Sequence, residues 1–172
     1  MFDSISSSNA PEAIGPYSQA IKLGDFVYLS GQLPIDPATN QLVKGGIMEQ
    51  TYRVFQNIEA VLAEMDLELR HILKTTVFLT DLNDFESMNQ IYATVMSAPY
   101  PARSTVGVAA LPKGAKIEIE CVVIDTLAYE RAMEHHHHHH DHDHDCCHDG
   151  ECDHDHEHHH DHKGECEGSC CG

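Results

Sequence analysis

The chain of 172 residues has a formal net charge of −18 at pH 7, and this charge is unevenly distributed. Residues 1–133 contain nine Lys and Arg against sixteen Asp and Glu, whereas residues 134–172 contain one against twelve, with fifteen of the sixteen His and six of the seven Cys. The acidic balance and the absence of a basic patch argue against a nucleic-acid partner, and no apolar stretch is long enough to span a membrane.

We therefore predict two regions in this chain. Residues 1–133 have the usual size of one folded domain, whereas residues 134–172 have almost no aliphatic side chains and are predicted to be disordered. Residues 1–9 lack the basic and apolar segments of a signal peptide, which predicts a cytoplasmic protein with reduced thiols in its tail.

The order of predicted elements favours an α+β fold. Strand and helix periods predict a strand over residues 17–23, a strand over 26–30, a loop over 31–46, a helix over 47–65, a strand over 73–79, a helix from about 83 to before Pro99, and strands over 104–109 and 116–124. This order favours two helices against one face of a mixed sheet. The last strand offers apolar residues to both faces, which predicts a homo-oligomer that packs sheet faces together.

Three local features add detail to this prediction. The first two strands are expected to pair as a hairpin, because Gly24-Asp25 between them favours a tight turn. The continuous apolar and β-branched run over residues 73–79 predicts a central strand buried on both faces or nearly so. Asn83, followed three residues later by Glu86, resembles a helix capping box.

The stretch from Tyr100 to Glu120 predicts a second hairpin, because Leu111 to Gly114 carry Pro and Gly between two strand patterns. In such a hairpin Arg103 would face Glu118 across the ladder. That pair is either an anion clamp beside a proton-transfer group or a surface ion pair, and these residues alone favour the surface pair.

Several motifs between residues 9 and 125 have the order and spacing of one known family. They are Gly15-Pro16-Tyr17-Ser18-Gln19-Ala20, Ser30-Gly31-Gln32-Leu33-Pro34, Lys74-Thr75-Thr76-Val77-Phe78-Leu79 with Asp81-Leu82, Asn89, Pro101-Ala102-Arg103-Ser104, and Leu111-Pro112 followed by Ile117-Glu118-Ile119-Glu120. With these motifs the chain closely resembles the RidA (YjgF) family of enamine/imine deaminases. The resemblance implies a chorismate-mutase-like α+β fold with a mixed six-stranded sheet, assembled as a homotrimer with active sites between subunits.

The resemblance also implies an activity. Family members hydrolyse 2-imino or 2-enamino acids, such as 2-iminobutanoate and 2-iminopropanoate, to 2-oxo acids and ammonia without a cofactor. By similarity Arg103 binds the substrate carboxylate, and Glu118 positions and activates water. The residues implied to line the pocket are Tyr17, Ser30, Gly31, Asn89 and Thr105. A bidentate Arg would fix the C=N carbon, and one carboxylate can take a proton from water and return it to the departing nitrogen.

Two departures from the family pattern concern the substrate range. Many deaminases of the family carry Cys two residues after the Arg and Glu two residues further on, where this chain has Thr105 and Gly107. The connection from Asn89 to Arg103 is also shorter than in typical members.

Simpler interpretations exist for individual residues. Tyr17 suits a half-buried packing role, Ser30 suits a strand end, Asn89 suits a solvated helix position, and Cys121 suits a small core residue. At the level of function, the alternatives are a metabolite-binding protein without deaminase activity, a metal-storage or delivery protein, and, with less support, a ribonuclease. The absence of Trp and the small number of Lys argue against the basic or aromatic surface that a nuclease would use to bind a nucleic-acid strand.

The tail predicts binding of transition-metal ions, because imidazole and thiolate groups suit Ni²⁺, Zn²⁺, Cu and Co²⁺. The candidate ligands are His135, His136, His137, His138, His139, His140, His142, His144, Cys146, Cys147, His148, Cys152, His154, His156, His158, His159, His160, His162, Cys166, Cys170 and Cys171. Their spacings match no single zinc finger, so we expect several labile sites, as in the tails of nickel-handling chaperones that this composition resembles. Residues 134–140 also resemble a purification tag, but 32 residues of related composition follow, which favours a metal-binding extension.

Overall fold

The computed structural model describes the backbone of residues 1–137 and the side chains of residues 1–133. The strands are β1 (Asp3–Ile5), β2 (Ala20–Leu23), β3 (Phe26–Gln32), β4 (Ile35–Asp36), β5 (Gln41–Leu42), β6 (Ile72–Leu79), β7 (Ala102–Gly107) and β8 (Ile117–Ile124), and the helices are α1 (Ile47–Ala63), α2 (Phe85–Val95) and α3 (Leu127–His137). Six strands form one sheet in the order β1-β2-β3-β8-β6-β7, and β4 pairs with β5 in a separate ribbon. Only β6 and β7 are parallel within the sheet. The predicted α+β fold with a mixed six-stranded sheet is confirmed.

The hydrophobic core lies between one face of this sheet and the helices α1 and α2. Alternate residues of β8 face the helices and are buried, and Cys121 is one of them, as predicted. The fully buried side chains of the α1 stripe are Val54, Phe55, Ile58, Val61 and Leu62. Because burial of each such side chain contributes about 1.5–3 kcal/mol, this stripe holds α1 on the sheet.

The strand β6 is buried on one face only, and the prediction of two buried faces is wrong. Thr75, Val77 and Leu79 face the helices, whereas Lys74 and Phe78 lie on the other face. The helices α1 and α2 both pack on the first face, so nothing in residues 1–133 covers the second one. We call this second face the open face.

The predicted hairpin of β7 and β8 is also wrong. The strand β6 lies between them, with β7 parallel to it on one side and β8 antiparallel to it on the other. A parallel pair requires a crossover, and α2 supplies it between β6 and β7. Arg103 therefore lies opposite Thr75, and Glu118 lies opposite Phe78, instead of facing each other.

The N-terminal hairpin of β2 and β3 is confirmed, although β2 begins at Ala20 and not at Tyr17. The residues just before it form a tight turn, in which the Tyr17 amide donates to the Gly15 carbonyl at 2.9 Å. The short strands β1, β4 and β5 were not predicted, because two or three residues cannot display a period-two pattern.

The predicted capping box at Asn83 is wrong, because a short 3-10 turn over Leu82–Asp84 precedes α2. The Asp81 carboxylate accepts a hydrogen bond from the Asn83 amide at 2.9 Å and so caps this turn. The helix α2 then begins at Phe85 and ends at Val95, before Pro99 as predicted.

The helix α3 is held against the turn that precedes β6. Arg70 donates to both carboxylate oxygens of Glu130, at 3.1 and 3.0 Å, and this contact lowers the pKa of Glu130 to about 2. The buried His71 places Nε2 3.4 Å from the same carboxylate. The Tyr129 hydroxyl also donates to the Asp25 carboxylate at 3.2 Å. The helix α3 is therefore bonded both to the turn before β6 and to the turn between β2 and β3.

The predictions for the tail concern residues 134–172, whose side chains lie outside the part of the chain that the structure describes. The backbone of α3 continues to His137, four residues past the predicted boundary at Met133, and the candidate metal ligands all follow Met133. Among the described side chains, no group of three or more His, Cys, Asp or Glu is arranged to hold a metal ion. None of the helices in the described region combines the length and the apolar character needed to cross a bilayer.

Candidate active site

A cleft of about 410 Å³ opens between α2 and the start of β7. Its lining residues are Asn89, Tyr92, Ala93, Tyr100, Pro101 and Arg103. Two of the predicted site residues, Asn89 on α2 and Arg103 on β7, therefore share one cavity. We call this cavity the Arg103 cleft.

Arg103 is held against aromatic rings and not against an acid. Its guanidinium carbon lies 4.6 Å from the ring centroid of Tyr92 and 5.7 Å from that of Phe85. None of the ion pairs within residues 1–133 involves Arg103, and its side chain is exposed. Its donors are thus available to a ligand carboxylate, which an Arg fork binds in a bidentate manner.

Glu118 lies on the open face of the sheet, against Gly31 of β3. A β-carbon on Gly31 would overlap the Glu118 carboxylate, so only glycine leaves room for this carboxylate here. The pairing of β3 with β8 is irregular between Leu29 and Gln32, which places Gly31 in a bulge. Bulges redirect side chains and are frequent beside active sites.

The pKa of Glu118 is raised above its ordinary value. Burial of the half-buried carboxyl is the larger cause, and the nearby negative charge of Glu120 is the smaller one. Both effects disfavour the ionised form. A carboxyl of this kind accepts and returns protons more readily than one with an ordinary pKa, which is the requirement for a general base and acid.

The segments around Tyr17 and Ser30 run side by side next to Gly31. The Ser30 amide donates to the Gln19 carbonyl at 3.0 Å, and the Ser30 hydroxyl donates to the Ser18 carbonyl at 2.7 Å. Tyr17 is about half exposed, and its hydroxyl accepts from the Ile14 amide at 3.2 Å. We refer to Tyr17, Ser30, Gly31 and Glu118 together as the Glu118 half-site.

Arg103 and Glu118 lie on opposite faces of the sheet. Arg103 is paired with Thr75, which faces the helices, and Glu118 is paired with Phe78, which lies on the open face. Successive side chains of a strand point to opposite faces, and these two partners are three residues apart on β6. A single copy of the chain therefore presents the Arg103 cleft and the Glu118 half-site separately.

Residues 7–125 match the protein family described as Endoribonuclease L-PSP. The chain belongs to this family, which is also known as RidA, YjgF or RutC. RutC family protein y4sK of Sinorhizobium fredii is 50% identical over 123 residues, which cover 72% of this chain and 98% of that protein. The human protein named 2-iminobutanoate/2-iminopropanoate deaminase is 45% identical over 120 residues, covering 70% of this chain and 88% of the human one.

Solved structures of RidA relatives share the fold. The Rid family protein YyfA from Yersinia pestis is 47% identical, with a TM-score of 0.70, and the match covers 72% of this chain and 99% of that one. A structure of E. coli TdcF with bound serine is 40% identical, with a TM-score of 0.68, covering 71% and 98% of the two chains.

The two positions of the first departure from the RidA pattern, Thr105 and Gly107, lie on β7 with Arg103. The hydroxyl of Thr105 is buried and has no hydrogen-bond partner among the described residues. A β-carbon on Gly107 would lie 3.1 Å from the Leu82 Cγ atom, so a larger residue here requires Leu82 to move. The structure places Thr105 on the same face of the sheet as Arg103, since it pairs with the buried Val77.

Sequence reasoning missed two residues that contact this site. The sequence patterns place Tyr92 only within the predicted helix that ends before Pro99, and Thr75 only within the apolar run over residues 73–79. In the structure the guanidinium of Arg103 lies over the ring of Tyr92, and the Tyr92 hydroxyl lies 3.0 Å from the Thr75 hydroxyl. The available signal was a tyrosine in an aliphatic stripe together with a threonine in a buried strand, since buried hydroxyls need partners.

Proposed function

We propose that this protein hydrolyses 2-imino and 2-enamino acids, such as 2-iminobutanoate and 2-iminopropanoate, to 2-oxo acids and ammonia. The observation that carries the proposal is the exposed guanidinium of Arg103, which lies in a cleft over the ring of Tyr92 and has no acidic partner among residues 1–133. The deaminase name of the human relative and the serine bound to TdcF support a small substrate with a carboxylate.

The proposed active site forms between copies of the chain in a homotrimer. The Arg103 cleft of one subunit would meet the Glu118 half-site of the next, because one copy presents them on opposite faces of its sheet. Apolar side chains on the open face support this assembly, since Phe26 and Tyr28 are 45% and 48% exposed in a single copy. Exposed apolar patches of this kind mark interaction surfaces.

In the proposed reaction Arg103 binds the carboxylate of the substrate and fixes the adjacent C=N carbon. Glu118 takes one proton from a water molecule as the water oxygen bonds to that carbon, and it returns the proton to the nitrogen. In the tetrahedral adduct the new hydroxyl then loses its proton through Glu118 to the nitrogen. The C–N bond breaks, ammonia leaves, and the C=O bond of the 2-oxo acid forms. A positioned acid and base of this kind contributes about 10² to 10⁴ in rate.

In this mechanism the pocket residues hold the substrate, and no metal or organic cofactor is assigned. Asn89, at the wall of the Arg103 cleft, and Thr105, on the same face as Arg103, would contact the substrate near its carboxylate. Tyr17, Ser30 and Gly31 would border the attacking water beside Glu118. Enforced geometry supplies the remainder of the acceleration.

The test is ammonia release from freshly generated 2-iminobutanoate. We expect the unmodified chain to accelerate the release and Arg103→Ala to lose at least about a hundredfold in kcat/KM, since misplacement of a substrate by about 1 Å can cost that much. Arg131→Ala, which removes an exposed arginine from α3, is the matched control and is expected to behave like the unmodified chain. No acceleration by the unmodified chain would reject the deaminase proposal and favour a binding protein.

The tail supports a second, independent proposal, namely that it buffers or delivers transition-metal ions. Fifteen His and six Cys occur within residues 134–172, and both are ligands that Ni²⁺, Zn²⁺, Cu and Co²⁺ accept. Titration of Ni²⁺ or Zn²⁺ into the full chain and into a chain that ends at Met133 tests this. Several bound ions per full chain and none per truncated chain are expected. Equal stoichiometry in both would reject it.

A further inference from the structure

We propose that Tyr92 is a positioning residue for Arg103, and that Thr75 holds Tyr92 in place. This inference rests on the proposed function, because it concerns the arginine that would bind the substrate carboxylate. Tyr92 itself would not react. Its role would be to keep the guanidinium where the carboxylate arrives.

Arg103 needs such support because its strand gives it little. Arg103 lies near the start of β7, which is an edge strand of the sheet, and its side chain is exposed. A free arginine side chain loses rotamer entropy when it becomes fixed. An acidic partner would fix the side chain, but it would also occupy the donors that the substrate requires.

The ring of Tyr92 supports the guanidinium without using its donors. The guanidinium carbon lies 4.6 Å from the ring centroid, which is within the range of a cation–π contact. A cation–π contact is an attraction between the cation and the face of the ring, and it takes none of the guanidinium N–H groups as hydrogen-bond donors. The arginine is therefore held and remains able to bind a carboxylate in a bidentate manner.

Tyr92 is itself fixed from two directions. It is only 5% exposed, its ring packs edge to face against Phe55 at 5.3 Å between centroids, and its hydroxyl lies 3.0 Å from that of Thr75. Thr75 is fully buried and is the direct neighbour of Arg103 in the β6–β7 register. The same strand pair thus places both the arginine and the anchor of its supporting ring.

Three side chains of α2 form a stripe toward the arginine. Phe85, Asn89 and Tyr92 occur at spacings of four and three residues, which place them on one face of the helix. Phe85 gives a second and more distant ring, at 5.7 Å from the guanidinium carbon. Tyr92 is the closer and the more buried of the two rings, so it is the one that defines the position of Arg103.

The test measures binding of 2-oxobutanoate, the expected product, by titration calorimetry, together with KM and kcat for 2-iminobutanoate. Tyr92→Leu removes the ring and is expected to weaken 2-oxobutanoate binding by about threefold to thirtyfold, the range of a cation–π contact. KM should rise by a similar factor, and kcat should change less. Tyr92→Phe keeps the ring and should recover most of the affinity. Tyr52→Leu, at an exposed tyrosine of α1, is the matched control.

A second pair of variants covers the case in which Tyr92→Leu does not fold. Tyr92→Phe and Thr75→Val each remove one hydroxyl of the same hydrogen bond and keep the volume of the side chain. Both should weaken 2-oxobutanoate binding by the same small factor, and the double variant should weaken it no further. Thr51→Val, which removes a buried hydroxyl bonded to the Ile47 carbonyl, controls for the loss of stability alone.

The outcomes separate this inference from the function on which it rests. If the unmodified chain binds 2-oxobutanoate and Arg103→Ala does not, the result supports the proposal that Arg103 binds the carboxylate. In that case, unchanged binding by Tyr92→Leu would overturn the role of Tyr92, and unchanged binding by both single-hydroxyl variants would overturn the role of Thr75 as its anchor. If the unmodified chain and Arg103→Ala bind 2-oxobutanoate equally, carboxylate binding by Arg103 is rejected. The positioning role of Tyr92 is then rejected as well.

Discussion

The two faces of the sheet differ in what covers them. The face toward α1 and α2 is filled by the chain itself, with β8 residues such as Ile117 and Ile119 fully buried. The open face carries Phe26, Tyr28 and Glu118, and the described part of the chain leaves it uncovered. One face is thus covered within a single copy, whereas the other is the face on which we propose that a second copy packs.

The candidate site follows the same division. Arg103 belongs to the helix-covered face, where Tyr92 supports it, and Glu118 belongs to the open face, where burial and Glu120 raise its pKa. The group that we propose binds the substrate carboxylate and the group that we propose transfers protons are therefore kept apart by the sheet. This separation explains why assembly and catalysis are expected to depend on each other.

The largest expected effect is the complementation of two inactive variants. Arg103→Ala and Glu118→Gln should each lose at least about a hundredfold in kcat/KM. Co-expressed in equal amounts, they should regain roughly a quarter of the unmodified activity, because one site in four combines an intact Arg103 with an intact Glu118 of a neighbour. The measurement is ammonia release by the mixed assembly.

Complementation is specific to a site shared between copies. If both groups acted within one copy, every copy would lack one of them and the mixture would stay inactive. Recovery that also appears when the two variants are purified separately and mixed without exchange of subunits would contradict the shared site.

The next effect concerns the open face as an interface. Val122→Glu adds a carboxylate beside Tyr28 and Lys74, and an interface would bury this charge at a cost of several kcal/mol. We expect the assembly to dissociate in analytical ultracentrifugation and to lose activity with it. Gln90→Glu adds the same group to the exposed side of α2 and should leave the assembly intact. An unchanged assembly in Val122→Glu would mean that the open face is not the interface.

A smaller effect is expected from the glycine that makes room for Glu118. Gly31→Ala would push the carboxylate away from its position, and a displacement of about 1 Å can reduce kcat by about a hundredfold or less, with little change in KM. Gly46→Ala is the control, because a β-carbon there meets its nearest neighbour only at 3.7 Å. Steady-state kinetics measure both variants, and an unchanged kcat in Gly31→Ala would remove Glu118 from the mechanism.

The smallest effect is a shift in the pH dependence of the reaction. Glu118 must be ionised to accept a proton from water, so kcat/KM should rise with pH through a pKa that lies above the ordinary value of a glutamate. Glu120→Gln removes a negative charge that raises this pKa, and the acidic limb should therefore move to lower pH. Glu64→Gln, at an exposed position next to the end of α1, should leave the limb in place. A limb that moves to higher pH in Glu120→Gln would contradict the assignment.

Local patterns were sufficient for most of the helices and strands. The apolar stripe of α1, the hairpin of β2 and β3, and the end of α2 before Pro99 all follow from residues close together in the chain. Local patterns were not sufficient for strand order. The turn after β7 has the composition of a hairpin turn, yet β8 pairs with β6 and β3 because the α2 crossover places β7 outside β6.

The same limit applied to the site. Arg103 and Glu118 were identified as candidates from motifs that the sequence shares with the RidA family, and their roles remain proposals. Their placement on opposite faces depends on strand pairing between distant segments. The support of Arg103 by Tyr92 depends on it as well, because the register of β6 and β7 brings Thr75 beside the arginine.

The family, the α+β class and the uneven distribution of charge, His and Cys along the chain follow from the amino-acid sequence without a structure. These properties reside in the order of residues and in periods of two and 3.6, which need no knowledge of distant contacts. Three features are visible only in the tertiary structure: β6 separates β7 from β8, Glu118 packs on Gly31, and the guanidinium of Arg103 lies over the ring of Tyr92. Such contacts join segments far apart in the chain, and only the burial of the whole core selects which of them form.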